Sequence, residues 1–241
     1  MDQYSIIHED EDILVANKLG PLPVQDEKTG DPSLQALLRA ELAARVGAKG
    51  DLELEAAHRI DRRCSGAVIF AKTHRALETL EADFRNKAIE KTYIACVEHE
   101  PEAKEGRLEH RLVWDKRTNV VRAFKLKAGE DTKGEKGILE YRLVGASERY
   151  WFLEIRLITG KHHQIRAQLA CEGLPIRGDI KYGARRTNKN GLLMLHARHL
   201  VFTQPRTRQT LDLLAPFPES EPLWAALEGP ASAPTPIEGE V

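Results

Sequence analysis

One nine-residue segment constrains this chain more than any other: His58-Arg59-Ile60-Asp61-Arg62-Arg63-Cys64-Ser65-Gly66. It sets a lone carboxylate among three arginines directly ahead of Ala67-Val68-Ile69-Phe70-Ala71, a short apolar run with the character of a buried strand. The Ser65-Gly66 pair reads as a turn between the two. A carboxylate at the mouth of a strand, held among cations, stays ionised and is aimed rather than buried. A structural Asp–Arg ion pair at a strand end would show the same pattern. The segment alone leaves both readings open.

Composition narrows the setting. At 241 residues, with 41% hydrophobic and 30% charged content, the chain has enough material for a sizeable core in one large domain or two small ones. No apolar run approaches the length needed to span a bilayer. The start, Met1-Asp2-Gln3-Tyr4, lacks the basic-then-apolar order of a signal peptide, so a cytoplasmic protein is expected. Cys64, Cys96 and Cys171 are scattered and odd in number, which suggests neither a disulfide framework nor a zinc site.

The net charge of −1 hides an uneven distribution. Residues 1–57 carry 5 basic and 12 acidic side chains, for a net of −7. Residues 156–208 carry 11 basic and 2 acidic, for +9, and everything after Arg208 contributes 6 acidic and no basic residues. A single strongly basic stretch in an otherwise neutral or acidic chain is the footprint of a localised polyanion site, although a solvated basic face would look the same.

Apolar patterning gives the elements. Ile6-Ile7-His8 and Ile13-Leu14-Val15-Ala16 read as strands around an acidic turn. Asp31-Pro32-Ser33 opens a helix carrying Leu34, Leu37, Leu38, Leu42 and Val46, which Gly47 closes. Thr73 caps a second helix, with Leu77, Leu80 and Phe84 on one face. Residues 91–97 and 150–158 are strand-like, and residues 106–145 read as a meander with a mobile charged loop at 129–137. Residues 164–170 have helical composition, stopped by Gly173 and Pro175, which puts Arg166 in an early turn near a strand end. Further strands are expected at Leu192–Leu195 and His199–Thr203. The Pro-, Ala- and acid-rich tail at 229–241 reads as disordered, leaving one domain over residues 1–228.

Several chemistries lack their motifs. There is no G-x-S-x-G elbow, no G-x-G-x-x-G and no P-loop signature. His162-His163 and His196…His199 have neither an H-E-x-x-H frame nor a cysteine pair beside them, so hydrogen-bonding or RNA-facing roles suit them better than metal ligation. No metal and no cofactor is expected.

Three segments together carry a family resemblance. His58–Gly66 resembles the H-R-L-D-x-x-T-S-G signature of the RluA-type pseudouridine synthases, Lys91-Thr92-Tyr93 their K-x-Y segment, and Thr159-Gly160-Lys161-His162-His163-Gln164-Ile165-Arg166 their T-G-R-x-H-Q-I-R segment. Asn17-Lys18-x-Gly20, Gly178-Asp179-x-x-Tyr182-Gly183 and Leu195-His196-Ala197 add support, in family order, over residues 6–205. Ile60, Cys64, Lys161 and Leu19 depart from the usual Leu, Thr, Arg and Pro. Lys161 keeps a cation but loses the planar fork of arginine.

The resemblance implies an α+β fold: a pseudouridine synthase core with a mixed, largely antiparallel central sheet, flanking helices and a catalytic cleft. No separate N-terminal RNA-binding domain is expected, because family-like sequence begins almost at Met1. The implied reaction breaks the C1′–N1 bond of a uridine in structured RNA, ribosomal or transfer, turns the uracil and rejoins it through C5. Asp61 would be the essential catalyst, as a nucleophile at C1′ or as a base at C2′, paired with Arg166. Tyr93 would stack on the uracil and sit where the C5 proton leaves. Arg59 would fill the place of the extruded base or hold a phosphate, and Ile165 and Leu195 would wall the pocket. Lys161, His162, Arg177, Lys181, Arg185, Arg186, Lys189 and Arg198 are the expected phosphate contacts. A monomer is expected. Two other readings stay open: an RNA-binding protein without catalysis, and a nucleoside or glycoside hydrolase, whose chemistry usually wants two carboxylates flanking the bond.

Overall fold

Alternation along two neighbouring strands explains how the centre of the molecule is built. β2 (Ile13–Lys18) and β4 (Ser65–Ala71) are buried along their whole length. Their side chains separate by parity into two cores. Leu14, Ala16, Val68 and Phe70 face one core, together with Leu34, Leu38 and Leu42 of α1 (Leu34–Val46). Ile13, Val15, Ala67, Ile69 and Ala71 face the other, together with Ala76 and Leu80 of α2 (His74–Arg85). The sheet therefore carries a helix on each face at this point, which is why these strands read as unbroken apolar runs.

These elements belong to a computed structural model that describes residues 2–27, 30–47, 52–126 and 133–227. Its sheet has eleven strands. Besides β2 and β4 these are β1 (Tyr4–Glu9), β3 (Glu55–Ala56), β5 (Glu90–Val97), β6 (Glu105–Asp115), β7 (Val120–Lys125), β8 (Glu135–Ala146), β9 (Trp151–Leu157), β10 (Leu195–Thr203) and β11 (Thr210–Leu214). The order runs β1-β2-β4-β10-β5-β9-β8-β6-β7, with β3 beside β4 and β11 beside β10. The β4–β10 pairing is parallel and the other ladders are antiparallel. The expected α+β class with a largely antiparallel central sheet is thus what the chain forms. A third helix, α3 (Gln164–Cys171), packs Ala167 against Leu112 of β6 and Val121 of β7. No helix among the described residues is long and apolar enough to cross a membrane.

Several local expectations change. Ser65-Gly66 is not a turn but the start of β4. Gly66 has φ +114°, and a Cβ there would lie 2.3 Å from the carbonyl oxygen of Ala197 on β10, so only glycine permits the parallel pair to close. Leu192–Met194 are not strand. The N–H of Leu193 donates to Arg63 O, that of Met194 donates to Arg177 O, and Met194 O accepts from Cys96 N, so three segments share the hydrogen bonds that one ladder would have used. Pro32 precedes α1, whose cap is Ser33, with Oγ accepting from Ala36 N. β8 begins at Glu135, inside the loop expected at 129–137. The first part of that loop and the tail at 229–241 lie outside the described residues.

Candidate active site

The three motif-bearing segments, His58–Gly66, Lys91–Tyr93 and Thr159–Arg166, meet at one cleft of about 530 Å³. The β3–β4 connection supplies its floor through Arg59, Ile60, Asp61 and Cys64, β5 supplies Lys91 and Tyr93, and α3 with the loop before it supplies Lys161 to Arg166. Leu195, at the start of β10, adds apolar wall. Among the described residues lining the cleft, Asp61 is the only carboxylate.

Asp61 opens a tight turn in which its carbonyl accepts from Cys64 N at 2.9 Å. The turn is held from below by Lys18, whose side chain is fully buried and donates to Arg62 O at 2.8 Å and Gly20 O at 3.0 Å. Burial pulls the Lys18 ammonium down to about 8, and the nearby Asp61 carboxylate opposes that shift. Cys64 donates to Leu195 O at 3.1 Å, and burial lifts its thiol to about 12, so it is a packing residue rather than a nucleophile.

The Asp61 carboxylate is about one-fifth exposed, and its Oδ2 accepts from Arg166 Nη1 at 3.0 Å. The rest of that guanidinium is committed elsewhere. Its Nε and Nη2 donate at 2.6 and 2.9 Å to the two oxygens of Asp179, which is fully buried, and its plane lies 4.8 Å from the Tyr182 ring centroid. Burial works against the Arg166 charge, but the hydrogen bonds and charge of Asp179, then those of Asp61, outweigh it and raise its affinity for the proton. Arg166 thus presents a single N–H to Asp61 from a fixed direction and leaves Oδ1 free of it.

The loop before α3 is held just as firmly. Gln164 accepts from Thr159 Oγ1 and Lys161 N and donates to Ile138 O on β8. His163 caps α3 in a left-handed conformation, φ 50°, a strained position for a residue other than glycine. Its Nδ1 meets Tyr182 OH at 2.9 Å, and its Nε2 lies 3.8 Å from Asp61 Oδ2. Burial pushes the imidazole down to about 3, against the pull of Asp61, so it is neutral at physiological pH.

Asp61, His162 and His163 each bring one potential ligand atom within 4.8 Å of the others. Arg166 already occupies Asp61 Oδ2, and the charges of Arg59, Arg166 and Lys181 act on His162, so the surroundings work against a cation there.

Asp61, Tyr93, Arg166, Arg59, Ile165, Leu195, Lys161 and His162 all line the cleft. Tyr93 is buried to 7% exposure, and that burial, reinforced by Cys64 and Asp61, holds its phenol far above the usual range. Lys161 also pairs with Glu135 at 2.6 Å. Lys181 stands at the edge, donating to Asn119 O. Arg177, Arg185 and Arg186 are elsewhere. Arg177 pairs with Glu221 at 2.9 Å and lies over the Tyr150 ring, while Arg185 and Arg186 share a separate recess of about 300 Å³ with Glu98, Arg149 and Tyr150. Lys189 is exposed, and Arg198 is folded onto Phe217 and Ala215 O. Lys18 and Asp179 fall within the sequence motifs without an expected role, and Trp114 and Asn119, which reach the cleft from the β6–β7 hairpin, belong to no motif.

Comparison with known proteins agrees with this geometry. Residues 12–171 match the family described as RNA pseudouridylate synthase. The chain is 33% identical over 221 residues to ribosomal large subunit pseudouridine synthase C of Vibrio vulnificus, covering 89% of this chain and 66% of that protein. It is 30% identical over 224 residues to ribosomal large subunit pseudouridine synthase D of Zymomonas mobilis, covering 89% and 69%. The chain thus spans about two thirds of the length of these relatives. The solved structure of human RNA pseudouridylate synthase domain containing 4 superposes with a TM-score of 0.73 at 23% identity, covering 89% of each chain, and shows the same fold.

Proposed function

Because the chain belongs to the RNA pseudouridylate synthase family, we propose that it isomerises uridine in structured RNA to pseudouridine, with Asp61 as the catalyst. Ribosomal RNA is the favoured substrate, since the relatives with assigned names act on the large ribosomal subunit. One observation carries the reading: among the described residues lining it, the cleft holds a single carboxylate, presented by an arginine that is itself anchored in the protein interior. A hydrolase working with two carboxylates finds no second one among the described lining residues. A bare RNA-binding platform has no use for the buried Asp179–Arg166–Asp61 chain.

The residues divide the work by their chemistry. The target uridine leaves its stack and enters the cleft between Tyr93 and the apolar side chains of Ile165 and Leu195. The Asp61 carboxylate either adds to C1′ as the C1′–N1 electron pair departs with uracil, or removes the C2′ proton to give a glycal; both routes begin from the same group. Arg166 spends one N–H on that carboxylate and fixes its direction. Uracil turns, and the C5–C1′ bond forms either as the Asp61–C1′ ester bond breaks or, from the glycal, as Asp61 returns its proton to C2′; C5 then loses its proton. Tyr93, kept in its protonated form by burial, serves as a stacking face rather than as the base. The regenerated Asp61 carboxylate is the acceptor in reach. Arg59, exposed at the rim, braces the RNA where the base has left. The test is pseudouridine mapping of total ribosomal and transfer RNA with and without the protein. New pseudouridine at defined sites supports the reading, and release of free uracil without new pseudouridine refutes it.

A further inference from the structure

The cleft does not end at the uridine pocket. A smaller cavity of about 180 Å³ adjoins it, walled in part by Leu112, Val113 and Lys133, and it shares Trp114, Lys161 and His162 with the main cleft. Trp114 is the partition between them. It sits at the end of β6 and is 49% exposed, although an indole in water is a costly side chain to leave uncovered.

That exposed ring is held, not loose. Trp114 Nε1 donates to Asn119 Oδ1 at 3.2 Å, and the same oxygen lies 3.0 Å from His162 Nε2, which ties the hairpin tip to the loop before α3. The ring centroids of Trp114 and His162 are 5.0 Å apart, and those of His162 and His163 are 3.9 Å apart and stacked. His163 in turn faces Asp61. Aromatic rings therefore run without a break from the catalytic carboxylate to the rim, and cations accompany them: Lys116 Nζ lies 5.5 Å from the indole centroid, and Lys161 and Lys181 flank the same wall. A rigid aromatic face among lysines, beside a small cavity, is what a nucleobase and its phosphate require.

Building on the proposed RNA substrate, we propose that Trp114 and this cavity form a second subsite, which takes the base of the nucleotide adjacent to the uridine. That base stacks on the indole while its phosphate is met by Lys116 and by Lys161, which exchanges its bond to Glu135 at the cavity wall for the phosphate. The subsite would make neighbouring sequence and local unstacking part of substrate choice, a selectivity that the uridine pocket alone cannot supply.

The experiment uses the full chain carrying Asp61→Asn, so that nothing turns over, and follows tryptophan fluorescence. Of the three tryptophans, Trp224 is buried and Trp151 half-buried, so Trp114 is the one open to a stacking base. The probes are the trinucleotide ApUpA and the same molecule with abasic residues on both sides of the uridine, each titrated to saturation. ApUpA should quench the emission and bind about tenfold more tightly than the abasic probe. Trp114→Ala should remove the quench and the difference in affinity, while Trp114→Phe keeps most of the difference. In the active enzyme, Trp114→Ala should raise KM for ribosomal RNA about tenfold with kcat little altered. Equal affinity for the two probes, or a difference that survives in Trp114→Ala, overturns the subsite. If the active enzyme makes no pseudouridine yet the base-dependent quench is seen, the activity fails and the subsite stands.

Discussion

Replacing Asp179 with asparagine separates the anchoring of Arg166 from its contact with Asp61. Asp179 is fully buried and accepts two hydrogen bonds from Arg166, at 2.6 and 2.9 Å, whereas Asp61 accepts one, at 3.0 Å. A carboxamide of the same shape keeps one acceptor, sets an NH2 group against a guanidinium N–H and leaves the arginine charge without its main buried partner. Breaking a buried pair in this way costs roughly 3–5 kcal/mol. Against a total of roughly 5–15 kcal/mol the variant still folds, with a urea midpoint lower by roughly 1–2 M. The freed guanidinium then turns towards Asp61 and engages both its oxygens, so the carboxylate that should act on C1′ or C2′ becomes a closed ion pair. A displacement on the order of 1 Å is worth about 10²-fold in rate. Single-turnover pseudouridine formation should therefore slow by about that factor, while RNA affinity barely changes because Asp179 cannot touch RNA. A folded Asp179→Asn protein with a wild-type rate would refute the idea that Arg166 is aimed from behind.

Three further outcomes follow from the same geometry. Lys18→Met should lower kcat on the order of tenfold. It should also abolish a decline in wild-type activity above pH 8, where the buried ammonium, with its proton affinity reduced to about 8, loses its charge; a pH profile unchanged by the substitution would make Lys18 packing only. Acid should destabilise the fold between pH 6.5 and 3. Burial holds His58, His163 and His196 near 3 when folded, whereas unfolded histidine takes up its proton near 6.5, so the unfolded chain binds more protons and each histidine removes up to about 1.4 kcal/mol per pH unit. His196→Asn should reduce the proton uptake on unfolding at pH 5 by about one; equal uptake contradicts this. Neutralising Arg185 and Arg186 together should weaken RNA binding and make its logarithmic salt slope shallower by roughly 2 if both meet phosphates, and an unaltered slope would remove that recess from the RNA face.

The site was legible where chemistry and chain continuity coincide. Asp61, Tyr93 and Arg166 each sit inside a contiguous motif, and the sheet brings those motifs together because β4, β10, β5 and β9 are neighbours. Charge alone was a poorer guide. Arg177, Arg185 and Arg198 look alike in sequence, yet Arg177 closes on Glu221 and Arg198 on Phe217 and Ala215, while Arg185 lines an open recess. Burial of a cation depends on a partner far along the chain, and nothing local marks Glu221 as that partner. Lys18 shows the converse: nothing in the Asn17-Lys18-x-Gly20 motif marks it for the interior, yet it lies fully buried, because the carbonyls of Gly20 and Arg62 give it a dry site. Trp114 left no local signal, since it reaches the cleft only when the β6–β7 hairpin leans on the loop before α3.

The central claim is that one carboxylate detaches and re-seats the uracil, and the most direct measurement is single-turnover pseudouridine formation by Asp61→Asn on ribosomal RNA that the wild-type protein modifies. Loss of all product with RNA affinity and folding retained is the predicted result. Measurable pseudouridine from that variant would contradict it.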